Sequence, residues 1–171
     1  DGTVTVTSDG GDIQVDPDGD ITSTSGSVTI DADTAGTAAN VVMADGAVID
    51  AGSGPIDVDA DADITLGGLA TTNATGTAIT ITALAGGVID GGDTTTDIIA
   101  NSGTVVIDAV TGVGATNDIE TQIDTLDLTN SGTGNVDIDE TDAIVLTDVD
   151  TSDGTIDVDA VGQITATDVN S

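Results

Sequence analysis

The chain has 171 residues, 32 of them acidic and 23 of them Gly, with no Lys, Arg, His, Cys, Trp, Tyr or Phe and a formal net charge of -32. Without cationic side chains it has nothing to hold a phosphate backbone, so nucleic acid is excluded as a direct partner, and anionic membranes repel it. Without His or Cys it lacks the usual ligands of zinc and copper, whereas oxygen-seeking hard cations such as Ca²⁺ suit a carboxylate-rich surface.

Hydrophobic residues make up 37% of the chain, enough for a packed core rather than disorder. They follow a recurring phrase: Gly, one spacer, then alternating apolar and polar residues. It reads Gly2-Thr-Val4-Thr-Val6, Gly26-Ser-Val28-Thr-Ile30 and Gly54-Pro-Ile56-Asp-Val58, then Gly76-Thr-Ala-Ile79-Thr-Ile81 with one extra residue. It returns as Gly103-Thr-Val105-Val-Ile107, Gly134-Asn-Val136-Asp-Ile138 and Gly154-Thr-Ile156-Asp-Val158. Successive glycines stand 24, 28, 22, 27, 31 and 20 residues apart, the length of one three-sided coil with variable corners.

The expected fold is therefore all-β, a right-handed parallel β-helix (solenoid) of about seven three-sided coils. Period-two alternation places Val28, Ile30, Ile56, Val58, Ile79, Ile81, Val105, Ile107, Val136, Ile138, Ile156 and Val158 inside, each stacked on its equivalent about 4.8 Å along the axis. A second strand begins eight residues after the first apolar position at Ile64, Ile144 and Ile164, and a third follows at Leu69, Val149 and Val169. The stretch from Thr34 to Asn40 reads as a long corner loop. A β-sandwich also alternates, but it has no reason to repeat the glycine phrase at coil spacing.

Residues 1–171 read as one β-helix segment. Thr167-Asp-Val169-Asn-Ser171 followed by Asp1-Gly2-Thr-Val4 nearly reproduces the internal corner from Thr147 to Ile156. Neither end shows the polar or helical cap of a solenoid that stops. The expectation is a unit of a longer array, or copies stacked head to tail, with the chain itself as its main partner. No apolar run is long enough to span a bilayer, so membrane insertion is not expected.

Asp is expected at the outward positions of the glycine-led strand. The second outward position is Asp31, Asp59, Thr82, Asp108, Asp139 and Asp159 in successive coils. Carboxylates stacked about 4.8 Å apart repel by roughly 1 kcal/mol per pair even in water. Bound cations, salt or protonation must relieve this, and Ca²⁺ is the preferred counter-charge. The candidate ligands fall in four groups: Asp16, Asp18 and Asp20; Asp57, Asp59, Asp61 and Asp63; Asp137, Asp139, Glu140 and Asp142; and Asp148, Asp150 and Asp153. The first resembles a calcium loop but lacks its distal bidentate Glu.

Catalysis is not expected. Paired carboxylates can hydrolyse glycosides, but no aromatic platform or basic residue is present to hold a glycan. Threonine rows such as Thr3-Val-Thr5-Val-Thr7 could match ice, yet Asp interrupts them in other coils. Asn73-Ala-Thr75 is a glycosylation sequon by pattern.

The phrases Gly26-Ser-Val-Thr-Ile-Asp-Ala32, Asp63-Ile-Thr-Leu66 and Gly154-Thr-Ile-Asp-Val-Asp-Ala160 resemble the repeats of filamentous-haemagglutinin-type and autotransporter-like secreted adhesins. The resemblance implies an extracellular, β-helical protein used as a scaffold or for surface attachment. Two functions follow as expectations: a structural fibre or stalk extended by coil stacking, or an adhesin module that binds through its lateral face. A third reading takes the acidity as adaptation to high salt.

Overall fold

The computed structural model describes residues 2–32, 38–92 and 94–171. Asp1 and residues 34–37 of the expected corner loop lie outside the described residues. Among those described there are eighteen strands and no helix, and every strand pairing is parallel. β-branched residues alternating with Thr and Asp favour short extended segments with one dry face. Corners rich in Gly and Asp end each segment and turn the chain. Stacking those turns gives a parallel β-solenoid of about seven coils.

On the first side, Val4, Val28, Ile56, Ile79, Val105, Leu126, Leu146 and Ala166 form one unbroken ladder. The second side carries Ile13, Val41, Ile64, Val88, Val113, Val136 and Ile156. The third carries Ile21, Ile49, Leu69, Ile98, Thr121, Glu140 and Ala160. Each side of a coil contributes the inward residues of one short strand, so the core is a narrow and mainly aliphatic column, interrupted on the third side by Thr121 and Glu140. Burying one such side chain contributes about 1.5–3 kcal/mol.

Ten of the twelve residues expected inside, from Val28 to Ile138, are at most 1% exposed. Ile156 and Val158 are partly buried and pack against the core, because no coil lies beyond theirs.

The stacking order departs from the expected one after Ile107. Val105 and Ile107 pair with Leu126 and Leu128, not with Val136 and Ile138. Val136 instead continues the second side, over Val113 and Val88. The chain covers one full turn in the 21 residues from Val105 to Leu126 and reaches Val136 a third of a turn later. The glycine phrase thus changes sides, which accounts for its longest spacing. The tight corner at Gly112-Val113-Gly114 makes this possible, with φ of 117° and 66° at its two glycines. It shrinks the second side of that coil to a single bridging residue.

Five of the seven phrase glycines, Gly26, Gly54, Gly103, Gly134 and Gly154, sit where a Cβ would strike the coil before, whereas one on Gly2 or Gly76 would meet nothing within 4 Å. A Cβ on Gly54 would lie 2.2 Å from the carbonyl oxygen of Gly26, and one on Gly26 would lie 2.3 Å from that of Gly2. A second file begins after the change of side, where a Cβ on Gly154 would lie 2.0 Å from the oxygen of Gly134.

Candidate functional site: carboxylates without a counter-charge

Among the described residues, one set of three acids brings carboxylate oxygens within 4.8 Å of one another: Asp90, Asp97 and Glu120. Two adjacent coils supply them, Asp90 and Asp97 from one and Glu120 from the next. Asp90 ends the strand Val88–Asp90 and takes the inward position that Leu66 fills one coil earlier. Asp97 immediately precedes the strand Ile98–Ala109, and its N–H donates to the carbonyl of Glu120 at 2.8 Å. Glu120 lies in the long strand Ile119–Thr133.

Asp90 and Asp97 are buried, with 6% and 1% exposure. Asp90 Oδ1 accepts the Gly92 N–H at 3.0 Å, and its other oxygen accepts a short hydrogen bond from Asn117 Nδ2. Asp97 Oδ2 accepts the Glu120 N–H at 3.2 Å. Glu120 Oε2 is a buried oxygen that accepts no hydrogen bond. Burial, and then the Asp90 charge, push the Glu120 carboxyl above its ordinary range. Three oxygens from three carboxylates in a partly dry corner match the donor set of a hard cation.

Sequence patterns alone do not gather this set, because Asp90 and Glu120 are 30 residues apart in a chain full of Asp. One signal was available. Val88-Ile89-Asp90 alternates like its neighbours and puts an acid where an apolar side chain belongs.

None of the four groups drawn from sequence contributes to the triad. Asp16, Asp18 and Asp20 lie on an exposed corner, where Asp20 Oδ1 accepts the Val48 N–H of the next coil at 3.1 Å. Asp57 and Asp59 face outward on the first side, while Asp61 and Asp63 sit at the following corner. Asp63 Oδ1 accepts the Gly87 N–H at 2.8 Å. Asp137 and Asp139 face outward beside Asp157 and Asp159. Glu140 turns inward and is fully buried, taking Thr121 Oγ1 at 2.8 Å, the Ile123 N–H at 3.0 Å and the Asp142 N–H at 3.0 Å. Burial raises its carboxyl above the ordinary range despite these bonds. Asp148 lies close to Asp150, Asp168 and Asp127, in that order of influence on its raised carboxyl apart from a burial contribution second only to Asp150. Asp153 pairs with Thr133 at the next corner.

The outward Asp file also differs from expectation. Beyond Asp108 the first side continues as Thr129, Asp150 and Asn170, and Asn170 Nδ2 donates to Asp150 Oδ1 at 2.8 Å. Asp139 and Asp159 belong to a different file that starts at Glu120. The change of side carried them there.

The sequon asparagine is internal. Asn73 is 6% exposed, its Nδ2 donates to the Thr77 carbonyl at 3.4 Å, and its Oδ1 accepts from Thr75 N–H and Oγ1. Asn130 plays the same role higher up, bridging Gly134 O and Thr151 Oγ1 and accepting the Gly112 N–H. These amides satisfy corner backbone that the core would otherwise strand.

The fold and its surface define an acidic parallel β-solenoid built from degenerate coils. No protein-family model, curated protein or solved structure matches the chain.

Proposed function

We propose that this chain is a structural element of an extracellular fibre or stalk that extends by stacking coil on coil, with divalent cations, Ca²⁺ foremost, offsetting its carboxylates. One observation carries the reading. The first-side ladder runs unbroken through every coil from Val4 to Ala166, and Ile144 and Val149, each covered by a partner one coil later, are only 1% and 0% exposed. Each such rung is dried by the coil stacked on it. Growth by stacking coil on coil extends this ladder and its parallel backbone hydrogen bonds without a new kind of contact.

The cation part rests on the absence of any Lys, Arg or His and on the triad of Asp90, Asp97 and Glu120. The extracellular part rests on the resemblance to secreted adhesins and on a sequence that offers trypsin-like proteases no cleavage site. The reading gives the chain no catalytic role.

Electron microscopy and fibre diffraction with and without a chelator test the proposal. Filaments with an axial repeat near the strand spacing of about 4.8 Å, which loosen on chelation, are the expected result. The double substitution Ile164→Asp and Val169→Asp should shorten them. Isolated particles under all conditions would refute the stacking, and indifference to chelation would refute the cation part.

A further inference from the structure

Many outward acids either face another acid or cap backbone of the next coil. Asp59 faces Asp31 and Asp137 faces Asp157, while Asp12, Asp20 and Asp63 cap Asn40, Val48 and Gly87. Asp124 and Asp108 differ. Each shares a groove with an exposed aliphatic side chain, at opposite ends of the first side. At the entry to that side, Asp124, Thr125, Val145, Gln163 and Thr165 line a groove of about 330 Å³ that crosses three coils. Val145 is 36% exposed, pointing outward between the buried Ile144 and Leu146, and the register sets it between Thr125 and Thr165. At the exit, Leu84, Asp108, Val110, Thr129 and Ser131 line a smaller groove of about 140 Å³. Leu84 is 55% exposed, on a corner fixed by its N–H donating to the Ala60 carbonyl at 3.0 Å. Asp108 has Thr82 on one side and Thr129 on the other. Each groove thus joins one carboxylate, a few hydroxyls and a patch of aliphatic surface.

That combination suits a particular kind of cation. Ca²⁺ seeks six to eight oxygens and gains nothing from Val145 or Leu84. An ammonium on an alkyl stem uses every feature: its charge meets the carboxylate, its other N–H donors meet hydroxyls, and its methylenes cover the aliphatic side chain. The chain has no cation of its own to fill either groove, and its net charge of -32 complements a basic partner.

We propose that the outward face of the first side docks a lysine-bearing segment of a partner polypeptide, one lysine seated against Asp124 and Val145 and a second against Asp108 and Leu84. Asp108 is in register with Thr129, five residues beyond Asp124 on the adjacent coil, so the two carboxylate positions stand about 17 Å apart at ordinary strand dimensions. An extended segment covers about 13 Å between residues i and i+4, and the two lysine stems make up the rest. Asp127, between Val106 and Asp148, lies along this path and adds to the attraction. The surface is lateral and does not depend on coil stacking.

Fluorescence anisotropy of a labelled peptide against the full chain, at physiological ionic strength with chelator present, tests the surface. The peptide carries two lysines four positions apart in a Gly/Ser background. Asp124→Asn, Val145→Ser, Asp108→Asn and Leu84→Ser should each weaken its binding about threefold or more, and the four together should abolish it. All four side chains are exposed, so the fold should persist by circular dichroism. Asp9→Asn and Val48→Ser, an exposed acid and an exposed aliphatic residue elsewhere, should leave binding unchanged. Diaminopropionate in place of lysine keeps the charge without the stem, and norleucine keeps the stem without the charge. Both peptides should bind at least about fivefold more weakly. Equal binding of the diaminopropionate peptide, or equal losses from the two control substitutions, would reduce the effect to unspecific attraction and overturn the surface. So would a lysine peptide that fails to bind at millimolar concentration. Cadaverine binding as tightly as the peptide would overturn a polypeptide partner.

Discussion

Asp90 stands in register with Leu66, so a carboxylate occupies an inward position where the preceding coil buries a leucine. Ordinary packing gives no reason for an acid there, and the nearby Asp97 and Glu120 make the local charge worse. Asp90→Asn keeps an oxygen for the Gly92 N–H and removes one of three negative charges, while its new amide N–H can donate to Asn117 Oδ1 once that amide turns over. In chelating buffer the variant should unfold about 1 kcal/mol less readily, the scale of one like-charge pair at water-like screening. Millimolar Ca²⁺ should raise the melting temperature of the unaltered chain and have a smaller effect on the variant. Thermal melts with chelator and with Ca²⁺ check both points. Identical responses to Ca²⁺ would remove the triad as the binding site.

Glu140 ties one coil to the one before it through Thr121 and Ile123, and holds the following corner through Asp142. Glu140→Ala leaves the buried Ile123 N–H without an acceptor and Thr121 Oγ1 with only the distant Asp139 carbonyl at 3.5 Å. The cost should be about 3 kcal/mol or more, read by denaturant unfolding. Glu140→Gln retains part of the network and should lose less. A neutral alanine variant would mean that water replaces the carboxylate.

Two glycines separate close approach from mere turn preference. Gly54→Ala would drive a Cβ to 2.2 Å from the Gly26 oxygen, and the backbone must shift, at a cost of about 1–3 kcal/mol or more. A Cβ on Gly10 meets nothing within 4 Å, so Gly10→Ala should stay within about 0.5 kcal/mol of the parent. Equal effects would contradict the file of stacked glycines.

The pH dependence should run opposite to ordinary acid denaturation. Burial chiefly raises the carboxyls of Asp57, Glu120, Asp137 and Glu140, and the neighbouring Asp150 charge chiefly raises that of Asp148. Their ordinary values are 3.8 for Asp and 4.5 for Glu. Each group binds its proton more tightly when folded. Its contribution is therefore complete below the ordinary value, falls as pH rises through the raised value, and is gone above it. Melting temperature in low salt should decline from pH 4 toward neutrality, with added salt flattening the slope. A curve that climbs with pH over that range would contradict the raised carboxyls.

The change of side is open to cross-linking. Asp108 and Thr129 are registered neighbours on adjacent coils, at a strand spacing of about 4.8 Å that a disulfide spans. Cys at Asp108 and Thr129 should cross-link under mild oxidation. Cys at Asp108 and Asp139, the pair that simple phrase-to-phrase stacking would align, should not. Mass spectrometry of the oxidised chains distinguishes the two registers.

How much was legible in the sequence depended on the distance over which each signal acts. Alternation is local, so Val28, Ile30, Ile56 and Val58 could be placed inside from their immediate neighbours. The glycine phrase set the coil length, and with it the parallel solenoid. Register between coils is a different matter, because parallel pairing joins residues about 20 to 28 positions apart and the corners between them vary. From Val105 the sequence offers both Leu126 and Val136 as apolar partners. Only the packing of the Gly112-Val113-Gly114 corner against Val88 and Val136 selects the first. That choice also decided which carboxylates meet. Composition by itself determined that the negative charge has no internal partner, since a missing residue type is missing in every fold. The tertiary structure decided where that charge concentrates, because Asp90, Asp97 and Glu120 become neighbours only once the coils are stacked.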